Sequence, residues 1–264
     1  MARPASDVQQ GGVRFGPKQR PEKRVLDRSD PSPAARLVPR FVGLGLHQGN
    51  AERSKIAPVN STGSVRFFDA QLRRQDAAGE FALNPFEARA LPFICGRVLD
   101  LGCGLGNLAI AAATSGAQVT ALDASPTAIQ SLTARARVLK LDIVTRCADL
   151  SDYAPEGEFD AVVAIGLFMF FPRGVARRQL GRALSAVRPG GTAIIKVLIE
   201  GTTFMEMFDL ERGYCLFAED ELPLALKRWQ VLDDRIELFD APGGTAKRFR
   251  TSIARRPSSG MRGP

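Results

Sequence analysis

Six residues in the middle of the chain have the types and spacing to bind a nucleoside-like ligand: Asp100, Gly102, Gly104, Gly106, Asp123 and Asp149. The three glycines alternate with other residues in the stretch VLDLGCGLGN, Val98 to Asn107, straight after an apolar run that carries Asp100. At a strand-to-helix turn of an open α/β sheet, missing Cβ atoms let the backbone approach a ligand, and the next helix offers unpaired N–H groups. Such a turn marks a binding crevice. A turn that merely packs a helix on a strand would use the same glycines, so the acids must decide what it holds.

A dinucleotide fingerprint needs glycines at its first, third and sixth positions. Counting from Gly102, the third position is Gly104, but the sixth is Asn107. Asp100 would repel a pyrophosphate and attract a positive amino group. Asp123 ends the run QVTALD, twenty-one residues after Gly102, where a carboxylate can accept the hydroxyls of a ribose. Asp149 ends TRCAD at what should be the neighbouring strand tip, placed to receive an adenine amino group. Three acids on three successive tips outline an amine, a ribose and a base.

The elements that must position these residues follow from periodicity. Short apolar, β-rich runs predict strands at Arg97–Leu101, Gln118–Leu122, Ile143–Cys147, Phe159–Ile165 and Thr192–Leu198. The unbroken apolar character of AVVAI and TAIIKVL says that both faces are covered, as in a parallel sheet between helix layers. Helices are expected at Asn107–Ser115, Pro126–Leu139 and Val175–Val187, the last ended by Pro189, Gly190 and Gly191. Upstream, Phe68 and Leu72 share a helical face before Gly79 breaks the pattern, and Asn84, Pro85 and Glu87 form a capping-box start for a short second helix. WQVLDDRIELF and KRFRTSIAR, joined by DAPGGTA, read as an antiparallel hairpin at one edge. The expected fold class is α/β: a three-layer Rossmann-like sandwich with a mainly parallel seven-stranded sheet and a C-terminal antiparallel hairpin.

Charge placement defines the expected domain at 63–256, between a flexible basic leader at 1–62 and a short tail at 257–264. Met1 to Thr62 holds eleven Lys and Arg against five Asp and Glu, and three arginines follow Ala254, which leaves a net charge of −1 between. The high pI therefore belongs to the ends, and no basic folded surface suggests a nucleic-acid partner. The four cysteines form no CxxC pair and the one histidine, His47, lies in the leader, so neither a disulfide framework nor a metal site is expected. No apolar run approaches the roughly 18 to 20 residues needed to span a bilayer, and no secretory signal core opens the chain, so a cytoplasmic protein without a membrane partner is expected.

With these residues in view, the sequence resembles the class I S-adenosylmethionine-dependent methyltransferases. The likeness rests on VLDLGCGLG, the acid of ALDAS, the ADL tripeptide, the FDAVVAI strand and RPGG before TAIIKVL, and it covers about Phe67 to Arg255. The family implies S-adenosyl-L-methionine as cofactor. Carried over position by position, Gly102, Cys103 and Gly104 would line its methionine part, Asp100 would serve the amino group, Asp123 the ribose, and Asp149 with Leu150 the adenine. Ala124 and Gly166 complete the expected cofactor-binding set. The order FMFF, RPGG, LFAEDEL, WQVL and RFRTSIARR is further similar to the tellurite-resistance-type small-molecule methyltransferases.

The acceptor is expected above the fourth and fifth strands, with candidates Gly166, Phe168, Met169 and the segment 200–216, including Arg212, Tyr214 and Cys215. Arg212 beside Glu211 suits either a surface ion pair or an anion clamp. The segment from Phe67 to Phe86 is a candidate cover over the cofactor. IGLFMFFP after the fourth strand carries no Asn-Pro-Pro-Tyr, which counts against a nucleobase amino group as acceptor. With no histidine after His47, the simplest mechanism is base-free in-line transfer to a small, soft nucleophile such as a thiol or chalcogen oxyanion. A nicotinamide-dependent oxidoreductase and a non-catalytic cofactor-binding protein remain as alternatives.

Overall fold

The computed structural model describes residues 62–258. The expected basic leader with His47 lies outside the described residues apart from Thr62, as does the tail beyond residue 258.

Seven strands form one sheet in the order β3-β2-β1-β4-β5-β7-β6. They are β1 (Arg97–Leu101), β2 (Gln118–Asp123), β3 (Ile143–Cys147), β4 (Phe159–Ile165), β5 (Val187–Leu198), β6 (Gln230–Ala241) and β7 (Thr245–Arg255). The first five are parallel, and β7 runs antiparallel between β5 and the edge strand β6. Alternation along each strand builds two apolar layers. Leu99, Leu101, Val162, Ala164, Ile195 and Val197 pack on one face, with α5 (Arg173–Ser185) and α6 (Glu221–Ala225). Val98, Val119, Ala121, Ala161, Val163 and Ile194 pack on the other, with α2 (Pro85–Ala90), α3 (Asn107–Thr114) and α4 (Pro126–Leu139). The three-layer sandwich expected from the apolar runs is the observed fold.

The boundary that differs most is the one between α5 and β5. α5 ends at Ser185, and Pro189, Gly190 and Gly191 do not stop it but lie inside β5. Gly190 N–H donates to Arg256 O at 2.9 Å and Arg256 N–H to Gly191 O at 2.8 Å, so the two glycines extend the pairing with β7. A Cβ on Gly191 would sit 2.8 Å from Asp160 O, which explains the glycine by close backbone approach rather than by a chain break.

α1 (Gly63–Ala78) starts at Thr62, whose Oγ1 accepts the Val65 N–H, and ends at Gly79 in a left-handed conformation, φ 67°. Asn84 and Glu87 make the expected reciprocal capping box at the start of α2.

Candidate functional site

The strand order reverses direction between β1 and β4, the place where open α/β sheets bind ligands beyond the carboxyl ends of their strands. A cavity of about 940 Å³ opens there. All nine residues expected to bind the cofactor line it: Asp100, Gly102, Cys103 and Gly104 from β1 and its turn, Asp123 and Ala124 from β2, Asp149 and Leu150 after β3, and Gly166 after β4.

The glycine turn is built by the hydrogen bonds that hold it to the tip of β2. Gly102 and Cys103 both donate their N–H to Leu122 O, at 2.8 and 3.0 Å. Gly104 N–H donates to Asp123 Oδ2 at 2.8 Å, while Ser125 N–H donates to Asp123 Oδ1 at 2.8 Å. Both Asp123 oxygens thus accept backbone donors at the edge of the cavity. Burial pushes the Asp123 carboxyl up, and the N–H groups of Ser125, Gly104 and Ala124 oppose that shift. Asp149 is exposed and its Oδ1 accepts the Ser151 N–H at 2.8 Å, which fixes the turn after β3, while Leu150 beside it is buried.

Asp100 is different. It is 5% exposed and takes no side-chain hydrogen bond from any described residue. Burial, then the charges of Glu87 and Asp123, push its carboxyl up to about 8. A buried acid with carboxylate neighbours and no cation of its own suits a ligand that brings a positive charge. Burial, then the charges of Asp100 and Asp123, push up the Cys103 thiol, so it lines the cavity as a protonated, apolar group.

The segment expected as a cover, with the residues just before it, lines the cavity. Ser64, Phe68, Gln71, Leu72 and Gln75 of α1 face the cavity. α1 is fastened to α4 by Ser125 Oγ donating to Asp69 Oδ1 at 2.6 Å, Ser131 Oγ to Asp76 Oδ1 at 2.5 Å, and Arg73 Nε to Thr127 Oγ1 at 3.2 Å. The link between α1 and α2 is held by Arg135, whose guanidinium lies 3.8 Å from the Phe81 ring and donates to Leu105 O at 2.8 Å. The segment from Phe67 to Phe86 therefore supplies one wall.

Of the acceptor candidates, Gly166, Met169 and, from the segment 200–216, Met207 and Arg212 line the cavity, joined by Phe170, Leu198 and Phe249. Phe168 does not: its side chain is fully buried against the α5 face of the sheet. Cys215 is buried in the same layer, and Tyr214 stacks on Phe208 at 4.6 Å without reaching the cavity. Lys247 and Phe249, at the start of β7, were missed because only the antiparallel return of that strand brings them beside the tip of β5, where Leu198 pairs with Phe249.

Residues 98–191 match the family described as methyltransferase domain. Over that stretch the chain is similar to the methyltransferase domain family. The matched segment runs from β1 to Gly191 and contains all nine expected residues. The ubiquinone biosynthesis O-methyltransferase of Xanthomonas campestris pv. campestris is 33% identical over 123 residues, covering 44% of this chain and 51% of that relative. The chain thus spans about half the length of the curated relatives it first matches. Among solved structures, TehB from Haemophilus influenzae aligns with a TM-score of 0.57 at 23% identity, over 66% of this chain and 63% of that one. The N-methyltransferase NodS from Bradyrhizobium japonicum WM9, in complex with S-adenosyl-L-homocysteine, aligns with a TM-score of 0.58 at 15% identity, over 74% and 100%. At these identities the two structures speak for the fold. The methyltransferase domain and its Rossmann-like sheet agree with the class I likeness read from the sequence, and they set aside the nicotinamide-dependent alternative. Among the described residues, no helix of the methyltransferase domain or its flanks is long and apolar enough to cross a membrane.

Proposed function

We propose that the protein is an S-adenosyl-L-methionine-dependent methyltransferase acting on a small, soft nucleophile, a thiol or chalcogen oxyanion being the reference case. The observation that carries the reading is the division of the cavity. The tips of β1, β2 and β3 supply three carboxylates in the order amine, ribose and base, while the wall above β4 and β5 supplies none.

When bound, the sulfonium donor supplies an activated methyl whose bond to sulfur breaks as the acceptor's lone pair forms the new one, leaving the neutral thioether. The chain's own residues bind and orient. Asp100 faces the ammonium, Asp123 the ribose hydroxyls, and Asp149 with the Leu150 backbone the adenine edge; Gly102, Cys103 and Gly104 let the methionine part lie against the backbone, and Ala124 and Gly166 leave room at its sides. Above β4, Met169, Phe170 and Leu198 exclude water from the path of attack. Among the described residues no histidine, cysteine or carboxylate lines that wall, which favours an acceptor already nucleophilic on arrival. The likeness to ubiquinone biosynthesis O-methyltransferases favours a second reading, an oxygen acceptor, in which a phenolate would fill the same place.

Calorimetry with S-adenosyl-L-homocysteine and with NAD tests the donor, and methyl-labelled donor with a panel of thiols, selenite, tellurite and phenols tests the acceptor. Binding of the nucleoside thioether, no binding of NAD, and label in a thiol or chalcogen product are expected. NAD binding would overturn the cofactor reading, and label in phenols alone would replace the soft acceptor by the oxygen one.

A further inference from the structure

Charge is segregated across the cavity. Glu87, Asp100, Asp123 and Asp149 stand on the side of β1, β2 and β3, whereas the two cations among the described lining residues, Arg212 and Lys247, stand on the side of β5 and β7. Neither Arg212 nor Lys247 makes a salt bridge to a described residue; the other half-buried lysine at this edge, Lys196, is 3.9 Å from Glu237. Lys247 is only partly exposed, its Nζ lies 4.5 Å from the Phe204 ring centroid, and its position is fixed because Thr203 N–H donates to Ala246 O at 2.9 Å while Ala246 N–H donates to Thr203 Oγ1 at 2.9 Å. Between these cations and the Gly166 tip the lining is apolar and soft: Phe68, Met169, Phe170, Leu198, Met207 and Phe249.

We infer that the acceptor is an amphipathic anion, with an apolar or aromatic body carrying the nucleophile toward Gly166 and a carboxylate-like charge at its far end held by Lys247 and Arg212. The inference rests on the methyltransferase reading of the same cavity and deepens it by naming the substrate class. The physical case is desolvation. Burial pushes the Lys247 ammonium down from its ordinary range, and beside the Phe204 ring no described carboxylate pairs with it, so an anion at this place supplies the counter-charge. An anion at the other end would meet the acid-lined side of the cavity, so charge sets the orientation and turns the nucleophile toward the donor. Lys247 and Arg212 act as binding residues and take no part in the displacement itself.

The test compares two thiols of one shape, 4-sulfanylbenzoate and 4-sulfanylbenzamide, binding to full-length protein saturated with S-adenosyl-L-homocysteine. The benzoate should bind at least tenfold more tightly than the amide and show the lower KM with methyl-labelled donor. Lys247→Met should bring that ratio within about twofold, Arg212→Met should reduce it in part, and Lys247→Arg should restore most of it. Equal affinity for the two thiols in the wild type, which needs no variant, overturns the substrate class while leaving the methyltransferase reading intact. A Lys247→Met variant that loses kcat on both thiols and keeps the ratio assigns the lysine to chemistry and also overturns it. Failure of S-adenosyl-L-homocysteine to bind at all removes the cavity assignment on which both readings stand.

Discussion

At the scale of single residues, Asp100 has the most to gain from a ligand. Its carboxyl titrates near 8 in the folded chain, far above the range of about 4 for an exposed aspartate, because it is buried and faces Glu87 and Asp123. The sign follows: the folded state keeps a proton that the unfolded chain has already lost. The stability tied to that proton is complete below about pH 4 and declines as pH rises toward 8. Asp100→Asn should therefore raise the thermal midpoint of the ligand-free protein, and by more at pH 8 than at pH 5. An ammonium reverses the balance, since it favours the carboxylate and expels the proton. Binding of S-adenosyl-L-homocysteine near pH 6.5 should accordingly release a proton, seen in calorimetry as heats that differ between phosphate and Tris buffers. Asp100→Asn should lose that difference and bind at least tenfold more weakly. Buffer-independent heats in the wild type would mean that Asp100 does not meet the amino group.

Elements differ in how much of them the sequence reveals. β4 and the second half of β5 were legible because both of their faces are covered, which leaves unbroken apolar runs, and the capping box of α2 was legible because its three residues are neighbours in the chain. Gly190 and Gly191 misled in the opposite direction, since a residue that vanishes to admit a neighbouring backbone looks, in sequence, like one that breaks the chain. The acids at the strand tips could be read from spacing along one motif, but Lys247 could not, because it reaches the cavity through a strand pairing that spans much of the fold. Within the turn, the glycines do different work. Gly106 has φ 72°, and a Cβ there would run into the Leu132 side chain of α4; Gly104 has φ 52° and only Leu72 Cδ2, 3.7 Å away, in front of it. Gly106→Ala should cost about 2 kcal/mol or more in urea unfolding, from left-handed strain plus overpacking. Gly104→Ala should cost about 1 kcal/mol, from the strain alone, yet weaken S-adenosyl-L-homocysteine more, because its new methyl points into the cleft. The reverse ranking in the two measurements would show that the roles of the glycines have been exchanged.

At the scale of the whole chain, the question is where the functional unit begins. The family match starts at Val98, but the cavity also needs α1 and the start of β7, so the matched segment alone lacks two of its walls. We propose that the unit begins at Thr62 and Gly63. There Thr62 Oγ1 caps α1, Gly63 N–H donates to Asp209 Oδ2 at 2.6 Å, and Asp209 N–H donates to Ser64 Oγ at 3.1 Å, tying the first turn of α1 to the segment that carries Met207 and Arg212. A chain starting at residue 62 should keep the thermal midpoint and the affinity for S-adenosyl-L-homocysteine of the full-length protein, while one starting at residue 80 should lose most of the affinity, because Phe68, Gln71, Leu72 and Gln75 go with α1. The two truncations separate a cavity wall from a mere extension. Loss of binding in the longer chain would mean that residues before Thr62 belong to the site, and undiminished binding in the shorter one would mean that α1 is not part of it.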